Sequence, residues 1–178
     1  MSMVCNLTRG RAEFAAAEDQ IKALAVESEA ARANLEQLLQ DDTVAYNGVT
    51  AAYRMPQDSA EQQAARSAAV QAGLVVAANV PLSICRAAAE VCRLAKTAAE
   101  LGNPRAVTDA GIAVVLGEAA VVGASLNVKI NLGAIEDQVY VQAADAEADQ
   151  LLAAAATLRG EVLAITAAKL QAAKGDKS

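Results

Sequence analysis

The chain has 178 residues, enough for one domain with a real core. Its apolar share is 54% but its aromatic share only 2%, so small alanine side chains supply most of the apolar content. It has no histidine, which excludes a Ser-His type triad and most zinc sites, and its formal charge of −6 argues against a surface built for nucleic acid or anionic membrane.

Alanine has the best intrinsic helix propensity and lets backbones approach closely, so the composition predicts an all-α bundle. From Glu13 to Gln40, Ile21, Leu24, Leu35 and Leu38 recur at helical spacing, with Glu27, Glu29, Arg32 and Glu36 on other faces. Asp41 and Asp42 are placed to cap a second helix, which runs to Met55 before Pro56. Asp58, with Glu61 three residues on, starts a third helix reaching Leu101, in which Pro81 predicts a kink or break. Gly102 stops it, and Asn103-Pro104 restarts the chain as a turn or cap. Thr108 or Asp109 is placed to cap an apolar helix that carries Asn127 and Asn131. A last long helix from Ile135 to about Lys174 turns Asp145, Glu147 and Asp149 outward and Leu151, Leu152, Leu158, Val162 and Ile165 inward, and its KGDKS tail is expected to fray. The reading is a single domain over residues 1–178, a bundle of five or six helices with one proline-kinked long helix, without internal repeat or sustained heptad.

Two stretches invite comparison with a membrane span, Ala72 to Ile84 and Ala110 to Leu126. Neither reaches about 20 uninterrupted apolar residues, and no secretory signal is visible, so no membrane partner is expected. Cys5, Cys85 and Cys92 lack metal-ligand spacing and read as reduced, buried thiols of a cytoplasmic protein. Asn127 and Asn131 are the polar anomaly. Four residues apart on a helix they share a face, and a buried amide without a partner costs about 1–3 kcal/mol.

The segments DDTVAYNGVTAAYRMP (Asp41–Pro56), NVPLSIC (Asn79–Cys85), GNPRAVTDAG (Gly102–Gly111) and LNVKINL (Leu126–Leu132), in that order and spacing, resemble the formimidoyltetrahydrofolate cyclodeaminase and methenyltetrahydrofolate cyclohydrolase family. The resemblance runs from about Val4 to Asp137. It implies a helical, usually dimeric enzyme acting on the one-carbon unit between N5 and N10 of tetrahydrofolate. One branch closes the formimidoyl form and expels ammonia, whereas the other opens the methenyl ring with water. No metal is implied, nor any cofactor beyond the folate substrate, which is possibly polyglutamylated.

Carried over residue by residue, the resemblance makes Asp42 and Asp109 the acid-base or cation-stabilising carboxylates. Asn127 and Asn131 would orient a carboxylate, a water or the pteridine edge, with Asp137 a weaker third carboxylate. Arg54, Arg105 and Lys129 would meet the glutamate tail, and Tyr46 and Tyr53 would flank the ring. Each has a plain alternative: the aspartates as helix caps, the asparagines as register-fixing bonds, the cations as a solvated face, the tyrosines as partial core. The family's usual N-terminal Pro-Gly-Gly-Gly-Ser type segment has no counterpart in MSMVCNLTRG, so one wall of the folate site is expected to be open. An inert folate-binding relative or a structural bundle is the alternative to an enzyme.

Overall fold

A computed structural model describes residues 1–175 and contains five α-helices: α1 (Ser2–Thr8), α2 (Glu18–Tyr53), α3 (Ala60–Leu101), α4 (Val107–Leu132) and α5 (Gln138–Gly175). Short 3-10 turns over Ala12–Ala17 and Pro104–Ala106 lead into α2 and α4. Of the KGDKS tail expected to fray, residues 174 and 175 still belong to α5, and residues 176–178 lie outside the described residues. The α3 helix is the hub, packing against α2, α4 and α5.

Burial along each long helix alternates three and four residues apart. On α3 the seam is Leu74, Ala78, Pro81, Cys85, Ala88, Cys92, Ala95 and Ala99; on α4 it is Val107, Ala110, Val114, Gly117, Val121, Ala124 and Val128. On α5, Ala144, Ala148, Ala155 and Val162 follow the same rhythm. This is the spacing of coiled-coil packing, sustained over several turns and contrary to the expectation of no heptad. Alanine conceals it in the sequence, because alanine also covers the outer faces. Close approach is the result: a Cβ on Gly117 would lie 2.7 Å from Cys92 Sγ. The three cysteines are free and buried, and burial pushes the Cys85 and Cys92 thiols up to about 11.

Several expected boundaries move. The α2 helix runs unbroken through Asp41 and Asp42, so neither is a cap; Gln37 Nε2 donates to Asp41 Oδ1 at 2.9 Å, and aspartate inside a helix costs well under about 1 kcal/mol. The cap of α3 is Ser59, one residue beyond Asp58, and it forms a reciprocal capping box with Gln62 rather than Glu61. The α3 helix also continues through Pro81 without a break. Ala106 precedes α4, which leaves Asp109 in its first turn, where a carboxylate suits the helix dipole but caps nothing.

Gly102 ends α3 as expected, for reasons of space. A Cβ there would meet Val4 Cγ1 at 2.2 Å and the Ala98 carbonyl at 2.5 Å. Beside it α1 is latched down: Asn103 N donates to Thr8 Oγ1 at 2.9 Å, and Asn103 Nδ2 donates to the Leu7 carbonyl at 3.0 Å. The α5 helix is tied to its neighbours by Arg86–Glu147, Lys96–Glu161, Arg159–Glu118 and Lys129 with Asp145 and Asp149.

By length and composition alone, Ala60–Leu101, Pro104–Leu132 and Gln138–Ala173 reach what a membrane span requires, each holding an 18-residue stretch of mean hydropathy 1.7, 1.7 and 1.5 respectively. This corrects the expectation that no segment does, since alanine raises hydropathy without bulk. One face of α4 is open: Ile112, Val115, Leu116, Val122, Leu126 and Ile130 are exposed along its length.

Candidate functional site

Where α2 and α4 diverge over α3, a cleft of about 330 Å³ opens, lined by Asp42, Ala45, Tyr46, Val49, Ala77, Asn127, Ile130 and Asn131. Four residues singled out in the sequence therefore meet here: Asp42, Tyr46, Asn127 and Asn131. The α2 seam places Asp42. Its inward positions run Ile21, Leu24, Ser28, Ala31, Leu35, Leu38, Asp41, Ala45, Val49 and Ala52, so Asp42 stands exposed beside the seam, at the rim of the cleft. Among the described residues no hydrogen bond or ion pair engages Asp42, which leaves its oxygens free for a ligand.

Asn131 is held firmly. Its Nδ2 donates to the Ala77 carbonyl on α3 and to the Asn127 carbonyl one turn back, both at 2.9 Å. Ala77 lies four residues before Pro81, which has no N–H to return to it. One amide of the pair thus satisfies the carbonyl that the proline frees, so the register-fixing alternative describes the donor half of Asn131. Nearby, Tyr140 Oη donates to Asn79 Oδ1 at 3.0 Å, and Gln71 bridges the α4–α5 turn by donating to the Ala134 carbonyl and accepting from Glu136 N. Sequence reading missed this polar support, although the spacing of Ala77 to Pro81 was a usable signal.

The other candidates lie elsewhere. Asp109, half-buried, is eighteen residues before Asn127 on α4, about 27 Å along the axis, so one chain does not bring the two aspartates together. Asp137 accepts from Val139 N and Tyr140 N at 3.0 and 3.1 Å and so caps α5 instead of facing the cleft. Lys129 is occupied by Asp145 and Asp149. Tyr53 closes α2, its carbonyl taking Arg66 Nε and its ring lying 5.7 Å beneath that guanidinium. Arg54 follows it at the helix end, outside the cleft. Arg105 lies with Arg11 and Lys169 along a separate groove of about 770 Å³. Among the described residues, no three His, Cys, Asp or Glu side chains come together as metal ligands.

The cleft thus offers a free carboxylate, an open asparagine and an oriented one over an apolar floor, which suits a ligand carrying positive charge and hydrogen-bond donors. Comparison with known proteins agrees in kind. Residues 1–150 match the family model described as formiminotransferase-cyclodeaminase. A methenyltetrahydrofolate cyclohydrolase from Methylorubrum extorquens is 37% identical over 162 residues, covering 91% of this chain and 78% of that protein. A formimidoyltransferase-cyclodeaminase from Rattus norvegicus is 30% identical over 162 residues, covering 91% of this chain but only 30% of that longer protein. The crystal structure of a formiminotetrahydrofolate cyclodeaminase from Thermotoga maritima superposes with a TM-score of 0.83 at 25% identity, over 95% of this chain and 80% of the other. With its five helices in the same arrangement and its matched residues spanning α1 to the first turns of α5, the chain belongs to the formiminotransferase-cyclodeaminase family.

Proposed function

We propose that the chain is a folate one-carbon enzyme acting at the N5/N10 bridge of tetrahydrofolate, and that it hydrolyses the 5,10-methenyl form to 10-formyltetrahydrofolate. The observation that carries this is the free Asp42 carboxylate beside Asn127 and Asn131 in the cleft. The greater identity to the cyclohydrolase favours hydrolysis; the likeness to a solved cyclodeaminase supports the second reading, closure of 5-formimidoyltetrahydrofolate with loss of ammonia. Both reactions pass through a tetrahedral carbon between two nitrogens. In the hydrolytic direction Asp42 steadies the amidinium cation and accepts a proton from the attacking water as the C–O bond forms. The proton then passes to N5 as the C–N5 bond breaks, leaving the formyl group on N10, while the asparagines hold the ring.

Asp109 enters this reading through a second copy. The exposed residues of α4 are arranged symmetrically about Ala119: Ile112 mirrors Leu126, and Leu116 mirrors Val122. A twofold axis at that point buries the open apolar face of each copy and places Asp109 of one opposite Lys129 of the other, one residue from Ile130 at the mouth of the cleft. Lys129 being paired, Arg54 and Arg105 are the cations this reading assigns to a glutamate tail. The enzyme is taken to be a cytoplasmic homodimer of the hydrolase class that needs no cofactor besides its folate substrate.

The test is the methenyltetrahydrofolate absorbance on adding purified protein, with the formimidoyl compound in parallel. Asp42→Asn and Asp109→Asn are each expected to lower turnover by about 100-fold or more with melting temperature kept. Full activity in both variants would sink the assignment.

A further inference from the structure

We infer that Pro81, which lines no part of the cleft, is a positioning residue that sets the polarity of the site through Asn131. Resting as it does on the site proposed above, this adds a device for specificity. Pro81 is fully buried in the middle of α3, and the helix continues on both sides. In an α-helix the amide of residue 81 would bond the carbonyl of residue 77, but proline carries no N–H. That carbonyl turns instead to α4, where Asn131 Nδ2 donates to it at 2.9 Å. The second proton of the same amide goes to the Asn127 carbonyl, also at 2.9 Å.

The chemical consequence concerns which end of the amide a ligand meets. An asparagine has two donor hydrogens on nitrogen and an acceptor oxygen, and an unrestrained one can turn either end outward. Both anchoring partners here are carbonyls, which only accept, so the amide has one satisfactory orientation. Its two N–H groups are consumed, and Oδ1 is the atom left for the cleft, where no protein donor engages it among the described residues. Asp42 shares that cleft and is also an acceptor. The pair therefore selects the N–H-bearing edge of a ligand, such as the donor edge of a reduced pterin ring, and disfavours a ring that presents a lone pair in the same place.

Restoring the missing N–H tests this. In Pro81→Ala the Ala77 carbonyl regains its helical partner and is shared between it and Asn131, so one of the two anchors is weakened. The fold is expected to survive, because alanine is a better helix former than proline; Pro81→Val restores the same N–H while filling more of the ring's volume. With methenyltetrahydrofolate, either variant is expected to raise KM about tenfold, the loss of roughly one oriented hydrogen bond, with kcat changed less than about twofold. In an Asn131→Ala background the same Pro81 substitution is expected to leave KM unmoved, since its effect runs through Asn131 alone. A KM increase that persists in that background would overturn the inference, as would no increase in the native one.

A second readout needs no turnover. The two Nδ2 protons of Asn131, followed by NMR, are expected to exchange slowly in the native protein and at least about tenfold faster in the Pro81 variants. Equal exchange rates would refute the lock whatever the substrate. Slow native exchange that the Pro81 variants accelerate, in a protein inactive on both folates, would uphold the lock while rejecting the folate assignment.

Discussion

At the scale of single residues, space decides more than chemistry does. Gly117 lies where a Cβ would sit 2.7 Å from Cys92 Sγ and 3.3 Å from the Ala88 carbonyl, whereas Gly160 on α5 has nothing within 4 Å. Gly117→Ala is therefore expected to lower stability by about 1–3 kcal/mol through overpacking. Gly160→Ala should raise it by about 0.5–1 kcal/mol through helix propensity. Urea midpoints of the two variants check both signs. Asp42 shows how a site residue was half legible. Its chemistry could be nominated from the sequence, but a pair of aspartates after a helix looks like a cap, and only the unbroken α2 helix shows it to be an exposed mid-helix carboxylate at the rim of the cleft. Asn131 was noticed as an anomaly for the right reason, an amide needing partners. The partner was hidden because the carbonyl that Pro81 releases lies some fifty residues away in sequence.

At the scale of elements, α3, α4 and α5 were legible, because propensity and apolar spacing act locally, whereas α2 was read as two helices divided at Asp41. The seams were not legible, because Ala144, Ala148 and Ala155 resemble the alanines facing water on the same α5. What holds α5 down is partly electrostatic, and that part depends on pH. The Arg86 guanidinium beside Glu147 holds its carboxyl below the usual range. A carboxylate whose folded-state pKa is depressed contributes fully above its ordinary value of 4.5, and the contribution disappears as pH falls through the lowered value. Both partners are more than a third exposed, so screening limits the pair to about 1 kcal/mol or less. Glu147→Gln should lower the urea midpoint at pH 7, and the difference should shrink as pH falls below 4.5 through the lowered value. A constant difference across that range would show that the glutamine disturbs packing instead.

At the scale of the whole molecule, the distance between Asp42 and Asp109 makes the strongest demand. If each cleft takes Asp42 from one chain and Asp109 from another, two inactive variants should rescue each other. Mixing Asp42→Asn with Asp109→Asn and allowing exchange puts half the dimers in the mixed form, with one intact site in two, so about a quarter of native activity is expected. No recovery, with exchange demonstrated, would mean that the two aspartates do not meet across a twofold axis. Sequence order alone could not pose this question, because both residues stand in well-matched segments and nothing in their spacing says that one helix holds them at opposite ends. Finally, the three buried thiols provide the molecule with its own clock. Cys5 rides on the short α1, held by the Thr8–Asn103 latch, while Cys85 and Cys92 sit in the α3 seam. A thiol reagent in native buffer should label Cys5 first, at the rate at which the N-terminal latch opens, and the other two together, only when α3 comes away from α4. A single phase for all three would mean that the latch and the bundle open as one unit.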